Sequence, residues 1–313
     1  MQWANTRYVF NNHKSQSNVL VVYDEPHQSF QTSIPKKQRI LFVSEPPSIK
    51  TYQPDYLNQF GIIVTPREIE GLSTDTKQHI SQLAFPWHYG VAHSNLFNGY
   101  ETYDSLKAMN PPTKVQEVST IISSKRMNDK HKKRIEVTAF LQDRLGAHFH
   151  RLGRGFKEID DKSEGIAPYA FHLVCENNDM PHFWTEKLAD SYLGYALPIF
   201  SGCPNIGDYF PKDSYVQVDF NKPEETLTII EDILYNPDFY QSRLSAIKAA
   251  RDKILNEYNL FNVINDMVTA IDLQEPVDTI EMIKPQTPSK SLVQRVVSKA
   301  IAFIQRLQHN ETK

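Results

Sequence analysis

The sequence predicts an α/β protein built from two Rossmann-like domains, and three observations carry that prediction. Short apolar runs alternate with stretches of helical periodicity along most of the 313 residues, the signature of parallel strands covered by helices. Those runs are nearly continuous rather than alternating, as buried parallel strands are. Each hands over at its C-terminal end to a polar or proline-rich loop, where open α/β sheets place their ligands.

The elements follow in order. Val19–Tyr23, Ile40–Val43 and Phe60–Val64 read as strands of a first domain, ending at Asp24-Glu25-Pro26, Ser44-Glu45-Pro46-Pro47 and Thr65-Pro66. Phe85 to Pro112 is rich in Tyr, Asn, Gly and Pro and reads as irregular structure closing that domain. A new alternation then begins. Strands are expected over Val115–Ile122, Ala147–Leu152, Tyr169–Cys175, Leu197–Phe200 and Tyr215–Val218. Helices are expected over Lys130–Leu145, Thr185–Leu193, Pro223–Leu234 and Tyr240–Tyr258. The predicted domains are therefore 1–112 and 113–274, with 275–313 a proline-containing linker and tail. No internal repeat is visible.

Composition excludes several classes. With 34 Lys and Arg against 37 Asp and Glu, a net charge of −3, the chain has no cationic excess with which to neutralise many phosphates, so no nucleic-acid partner is expected. Nowhere do about eighteen consecutive apolar residues occur, so no bilayer span is expected. The N-terminus reads as no signal peptide. Two cysteines, Cys175 and Cys203, fit buried thiols in a reducing cytoplasm better than a disulfide framework. His131, His148, His150, His172 and His182 lack metal-ligand spacing, and Asp160, Asp161 and Asp272 lack an Asp-x-Asp arrangement, so no metal is expected. The aromatic run Phe85-Pro86-Trp87-His88-Tyr89 reads as packing before acceptor stacking, and Lys130 to Arg134, apart from Arg134, as a solvated helix start.

The chemistry is expected in the stretch Phe171 to Lys187. A strand runs out through Glu176 and Asn177, passes a loop ending in Phe183-Trp184, and re-enters order at Thr185-Glu186-Lys187. Thr185 is a good N-cap, because its hydroxyl can accept a free amide hydrogen of the first turn. The helix start offers unpaired amides and partial positive charge to an anion. Lys187 is unfavourable there for the helix dipole, and makes sense beside a bound anion. Glu186 can accept hydrogen bonds from sugar or ribose hydroxyls.

This run resembles the donor-binding motif of the family 10 α-1,3/4-fucosyltransferases, approximately Y-x-F-x-L-x-F-E-N-(S/T), several residues, then Y-x-T-E-K, laid over Tyr169 to Lys187. Leu197 to Pro204 and Asp213 to Val216 continue the resemblance, which covers roughly Val115 to Phe220 well and the first domain loosely. Ile121-Ile122-Ser123-Ser124 stands where the family has a V-S-N strand end, and Leu152-Gly153-Arg154-Gly155 resembles its (F/Y)-G-R segment. The resemblance implies the two-domain GT-B fold, GDP-β-L-fucose as donor substrate and no metal cofactor. It implies donor binding by Arg134, Arg154, Glu176, Asn177, Phe183, Glu186 and Lys187, with Arg134 and Lys187 on the pyrophosphate. Arg39 to Pro47 has the form of the segment in which the family carries a catalytic glutamate, here Glu45; Glu186 is the second candidate for a catalytic carboxylate. The implied reaction is an inverting transfer to a glycan acceptor in surface polysaccharide or lipopolysaccharide synthesis. Two departures stand out: Cys175 replaces a phenylalanine, and Phe183 replaces the tyrosine before T-E-K, so one hydroxyl toward the donor is lacking. Another GDP-sugar, or a silent member that only binds a glycan or nucleotide, stays open as an alternative.

The tail is different in kind. Pro276, Pro285 and Pro288 mark a linker. Residues 290–307 then carry Leu, Val, Ile and Phe at helical spacing among Lys290, Arg295, Lys299 and Arg306. A basic amphipathic helix suits the anionic inner face of the cytoplasmic membrane; packing on the protein, or on a second copy in a homodimer, is the alternative.

Overall fold

A computed structural model of the chain describes residues 1–11, 17–96, 99–126, 129–274 and 279–286. The amphipathic segment 290–307 lies outside the described residues. The strands are β1 (Gln2–Trp3), β2 (Thr6–Arg7), β3 (Leu20–Tyr23), β4 (Phe30–Thr32), β5 (Arg39–Phe42), β6 (Ile62–Thr65), β7 (Lys77–Ile80), β8 (Val115–Ile121), β9 (Phe149–Leu152), β10 (Tyr169–Cys175), β11 (Leu197–Ser201), β12 (Val216–Gln217) and β13 (Glu281–Ile283). The α-helices are α1 (Pro54–Leu57), α2 (Tyr103–Ala108), α3 (Asp129–Leu145), α4 (Glu186–Leu193), α5 (Pro223–Tyr235), α6 (Phe239–Asn256) and α7 (Leu260–Thr269). No helix among the described residues is long and apolar enough to cross a membrane.

The chain divides into two compact units: residues 1–10, 64–68 and 79–272, and residues 11–63, 69–78 and 273–313. The α/β class holds in each. In the larger unit a five-stranded sheet runs β12-β11-β10-β8-β9, every neighbouring pair parallel. Counting β8 to β12 as first to fifth, the order is second-first-third-fourth-fifth, a doubly wound sheet whose direction of winding reverses between β8 and β10. β10 is the central strand, and Ala170 to Cys175 are all buried, which is why its sequence shows no polar alternation. In α3 the buried residues are His131, Arg134, Val137, Thr138, Leu141 and Leu145, which recur at helical spacing, so one face of the helix meets the sheet and core.

The smaller unit holds β3, β5 and the first residues of β6 and β7 from a sheet in the order β3-β5-β6-β7, with β3 and β5 parallel. It has its own core, in which Val22, Leu41, Val43, Tyr56, Leu57, Phe60, Ile63 and Ile283 pack together.

Two expectations about organisation are corrected. The boundary does not fall near 112, because the segment after 79 is fastened to the larger unit. The Asp190 carboxylate accepts the backbone N–H groups of His88 (2.8 Å) and Tyr89 (2.9 Å), Tyr195 donates to the Met109 carbonyl (2.8 Å), and Leu106 is buried on α2. A segment that reads as irregular by composition is ordered by partners that in some cases lie more than a hundred residues away. The expected linker after 275 is also not all linker. β13 pairs antiparallel with β4, and Ile283 is fully buried.

Arg39 explains why β13 stays in place. Its side chain is 1% exposed; Nε donates to the Ile34 carbonyl (2.7 Å) and Nη1 to Glu281 (2.7 Å). Removing the carboxylate leaves a buried guanidinium short of its acceptor. Glu281→Ala is expected to destabilise the protein by about 1–3 kcal/mol, measured as a lower midpoint in denaturant, with Glu281→Gln losing less.

Candidate functional site

Ligands of open α/β sheets bind beyond the carboxyl ends of the strands, at the point where the winding reverses. Here that point lies at the ends of β8 and β10, and a pocket of about 170 Å³ opens there. It is lined by Cys175 and Glu176 at the end of β10, Ser201 and Gly202 at the end of β11, Gln217 to Asn221 at the end of β12, Asp179, and Lys130, Lys133 and Arg134 from the first turns of α3. Gly202 is required by space: a Cβ there would lie 2.7 Å from Cγ of Glu176.

Glu176 organises one wall. It is 6% exposed, and its carboxylate accepts the backbone N–H of Thr185 (2.8 Å) and the Thr185 hydroxyl (2.9 Å), with Lys187 Nζ at 3.5 Å. Burial pushes its carboxyl above the usual range, the neighbouring Glu186 charge adds to that, and Lys187 opposes it. Thr185 in turn caps α4, its hydroxyl accepting the N–H of Lys187 (3.4 Å). Trp184, packed edge-on against Phe210 (5.1 Å) and Tyr258 (5.5 Å), fixes the loop just before the cap.

Lys187 Nζ lies 3.0 Å from the Thr185 hydroxyl, 3.3 Å from Glu186 and 3.5 Å from Glu176. Burial works to lower its pKa, but the two carboxylates outweigh it and hold the ammonium charged above the ordinary lysine range. Glu186 is the mirror case. Burial works to raise its carboxyl, yet Lys187, Lys162 (3.8 Å) and His88 bring it down to about 2. A carboxylate so stabilised is a poor proton acceptor near neutrality and a good fixed charge, suited to accepting hydrogen bonds from hydroxyls. Lys162 is itself held at 2.6 Å from the buried Asp190.

On the other wall Arg134, 7% exposed, donates from Nη1 to the Asn177 side chain (3.2 Å) and from Nη2 to the Ser123 carbonyl (3.3 Å). Burial lowers its pKa, but a guanidinium starting from so high a value stays charged. The structure thus brings Arg134, Asn177, Glu176, Glu186 and Lys187 into one neighbourhood. Glu176 differs from its expected role, because its carboxylate is committed to Thr185 and Lys187 and acts as a support. Phe183 is 4% exposed, with its ring edge-on to Phe85 at 5.5 Å. Arg154 is exposed and is not among the lining residues; its carbonyl accepts the Ser124 N–H (3.1 Å). Glu45 belongs to the smaller unit, at the end of β5, where its N–H donates to the Tyr52 hydroxyl (3.2 Å).

Lys130 and Lys133 correct the reading of a solvated helix start, since both line the pocket. The signal was available: positions 130, 133 and 134 stand three and four apart, on one helical face with Arg134. Gln217 to Asn221 carried no such signal, because only the sheet order brings the end of β12 to this place. Both cysteines are buried free thiols. Among the described residues no group of three or more His, Cys, Asp and Glu is arranged to hold a metal ion.

Residues 111–252 match the family model described as glycosyltransferase family 10 (fucosyltransferase), C-terminal part. That segment is a glycosyltransferase family 10 domain. It contains every lining residue of the pocket. The chain is 29% identical over 143 residues to an α-(1,3)-fucosyltransferase of Helicobacter pylori, a match covering 39% of this chain and 30% of that protein. It is 31% identical over 99 residues to the human 4-galactosyl-N-acetylglucosaminide 3-α-L-fucosyltransferase 9, covering 30% and 28% of the two. The chain therefore spans under a third of the length of these curated relatives. A crystal structure of an α1,3-fucosyltransferase with GDP-fucose is similar with a TM-score of 0.46 at 18% identity, over 79% of this chain and 81% of that one. A pneumococcal O-GlcNAc transferase in complex with UDP and GlcNAc gives 0.44 at 10% identity, over 74% and 51%.

The depressed Glu186 carboxyl has a consequence for stability. Its folded pKa, about 2, lies below the ordinary value of 4.5, so its contribution is fully present above 4.5 and is lost as pH falls toward 2. The gap in melting temperature between the parent and Glu186→Gln should be widest above pH 4.5 and close progressively below it, as measured by thermal melts across that range.

Proposed function

We propose that the protein transfers L-fucose from GDP-β-L-fucose to a hydroxyl of a glycan acceptor, inverting the anomeric centre and using no metal. The observation that carries this reading is the pocket at the winding reversal of the family 10 domain, where Arg134, Lys130 and Lys133 stand among Glu176, Asp179 and Asp219, flanked by the α4 start with Lys187. Sugar transfer from a nucleotide donor passes through an oxocarbenium-like state. As the glycosidic bond breaks, negative charge grows on the departing diphosphate, and fixed cations with helix N-terminal amides stabilise it. Arg134 and Lys187 are assigned to that charge, with Lys130 and Lys133 adding to the field. Glu186, ionised near neutral pH, is assigned to accept hydrogen bonds from donor hydroxyls. Glu45 is assigned the proton of the acceptor hydroxyl, whose attack from the face opposite the diphosphate turns the β-linked donor into an α-fucoside.

In this reading the two α/β units form a GT-B enzyme, donor bound by the larger and acceptor by the smaller. The acceptor is assigned to a bacterial surface polysaccharide or lipopolysaccharide. The enzyme works in the cytoplasm, as a monomer or homodimer, with segment 290–307 resting on the anionic inner leaflet. One observation favours a second reading: Phe183 presents a buried ring with no hydroxyl, which leaves another GDP-sugar as donor.

Incubation with GDP-fucose, other GDP-sugars and a panel of glycan acceptors, with GDP release measured in EDTA, tests the reading. GDP release with GDP-fucose that depends on acceptor and persists in chelator is expected; no release from any donor, with or without divalent metal, sinks it. Lys187→Ala should weaken GDP binding about tenfold or more in calorimetry, the loss of at least one charge-assisted contact. Equal binding by variant and parent would remove Lys187 from the site.

A further inference from the structure

The ends of β3 and β5 carry a second charged network, wholly within the smaller unit. The two strands are parallel neighbours with Tyr23 beside Phe42, so they finish together and release Asp24 and the turn 43–45 side by side. Asp24 N–H donates to the Phe42 carbonyl (2.9 Å), and its backbone sits in the left-handed region at φ +65°. A non-glycine residue persists there only when its surroundings hold it. The Tyr56 hydroxyl donates to the Asp24 carbonyl (2.8 Å), and Lys50 reaches both the Asp24 carboxylate (2.8 Å) and Glu25 (2.7 Å).

At the centre is the Tyr52 hydroxyl. It donates its one proton to the Asp24 carboxylate in a short hydrogen bond, and this leaves its lone pairs facing the N–H of Glu45 at 3.2 Å. Burial, and then the Asp24 charge, raise the Tyr52 pKa well above the ordinary tyrosine value, so the phenol keeps the proton it donates. Lys50, whose Nζ also lies 4.9 Å from the Tyr52 ring centre, balances the Asp24 charge. The order of the network is therefore fixed: Lys50 holds Asp24, Asp24 orients the Tyr52 hydroxyl, and that hydroxyl holds the main chain of Glu45.

We propose that Tyr52 and Asp24 are positioning residues for the Glu45 turn, setting where its carboxylate stands for the acceptor reaction. This rests on the assignment of Glu45 as the group that takes the acceptor proton. A strained aspartate, an ion pair and two tyrosines are more than a turn needs merely to end a strand. Their contacts lead, through the Tyr52 hydroxyl, to the main chain that carries the Glu45 carboxylate.

The test combines an activity-independent measurement with a double-mutant cycle. Tyr52→Phe keeps the ring, which stacks on Tyr56, and removes only the hydroxyl. Amide exchange of Val43, Ser44 and Glu45, followed by mass spectrometry, should quicken in this variant. In transfer assays kcat should fall about tenfold or more, with KM for the donor unchanged, because a small displacement of a reacting group is costly. In a Glu45→Gln background the same change should cost less than about twofold, since the group being positioned is already absent. Asp24→Asn, which keeps an acceptor oxygen but loses the charge, should give an intermediate loss and serves if Tyr52→Phe folds poorly. Unchanged exchange, or a loss as large in the Glu45→Gln background as in the parent, overturns the proposal. Should the parent transfer no sugar at all, the function proposed above fails instead, and the exchange measurement still decides whether the hydroxyl holds the turn.

Discussion

The buried carboxylate of Glu176 is the constraint on which the candidate donor site depends. A carboxylate taken out of water at the end of a central strand is costly unless every lone pair finds a donor. Thr185 supplies two of those donors and Lys187 approaches as the third, so the loop after β10 must return to the sheet where it does. The same contacts cap α4 and hold Lys187 at its first turn. A glycine must follow β11, because any side chain at 202 would displace the carboxylate. One buried charge thereby fixes a loop, a helix start, a lysine and a glycine.

That constraint accounts for the way charge is distributed around it. Lys187 stands between two carboxylates and Glu186 between two lysines, so each is held ionised by its neighbours. Asp190 one turn later holds Lys162 and simultaneously receives the amides of His88 and Tyr89. A polar network of this kind retains its geometry before any ligand arrives, which is what electrostatic stabilisation of a developing anion requires.

Much of this was legible in the sequence, for a physical reason that can be named. Central parallel strands are buried on both faces, so β10 reads as an unbroken apolar run, and Thr185 reads as an N-cap because its chemistry is local. Lys187 stood out as a cation at a helix start, where the dipole disfavours it, and Arg134 through the family resemblance. What could not be read was set by distant partners. The role of Glu176 as a support rather than a ligand contact depends on which way its side chain turns. The end of β12 reaches the pocket through sheet order, and the attachment of 85–112 depends on Asp190, Tyr195 and Arg251. β13 was hidden because three residues among prolines show no periodicity, although Ile283 completes a core.

The return of the chain at β13 bears on how the molecule is made. Ile283 belongs to the same core as Val22 and Leu41, and the N-terminal strands rest on α7, with Tyr8 donating to the Phe261 carbonyl at 2.6 Å. Tyr8 and Val22 thus wait for partners translated more than two hundred residues later, and neither unit is a contiguous stretch of sequence. Domain-by-domain completion during synthesis, the usual route for multidomain chains, is closed to this one. The smaller unit's apolar interior stays open until β13 arrives, which makes the interval before residue 283 emerges the period in which a chaperone has most to cover.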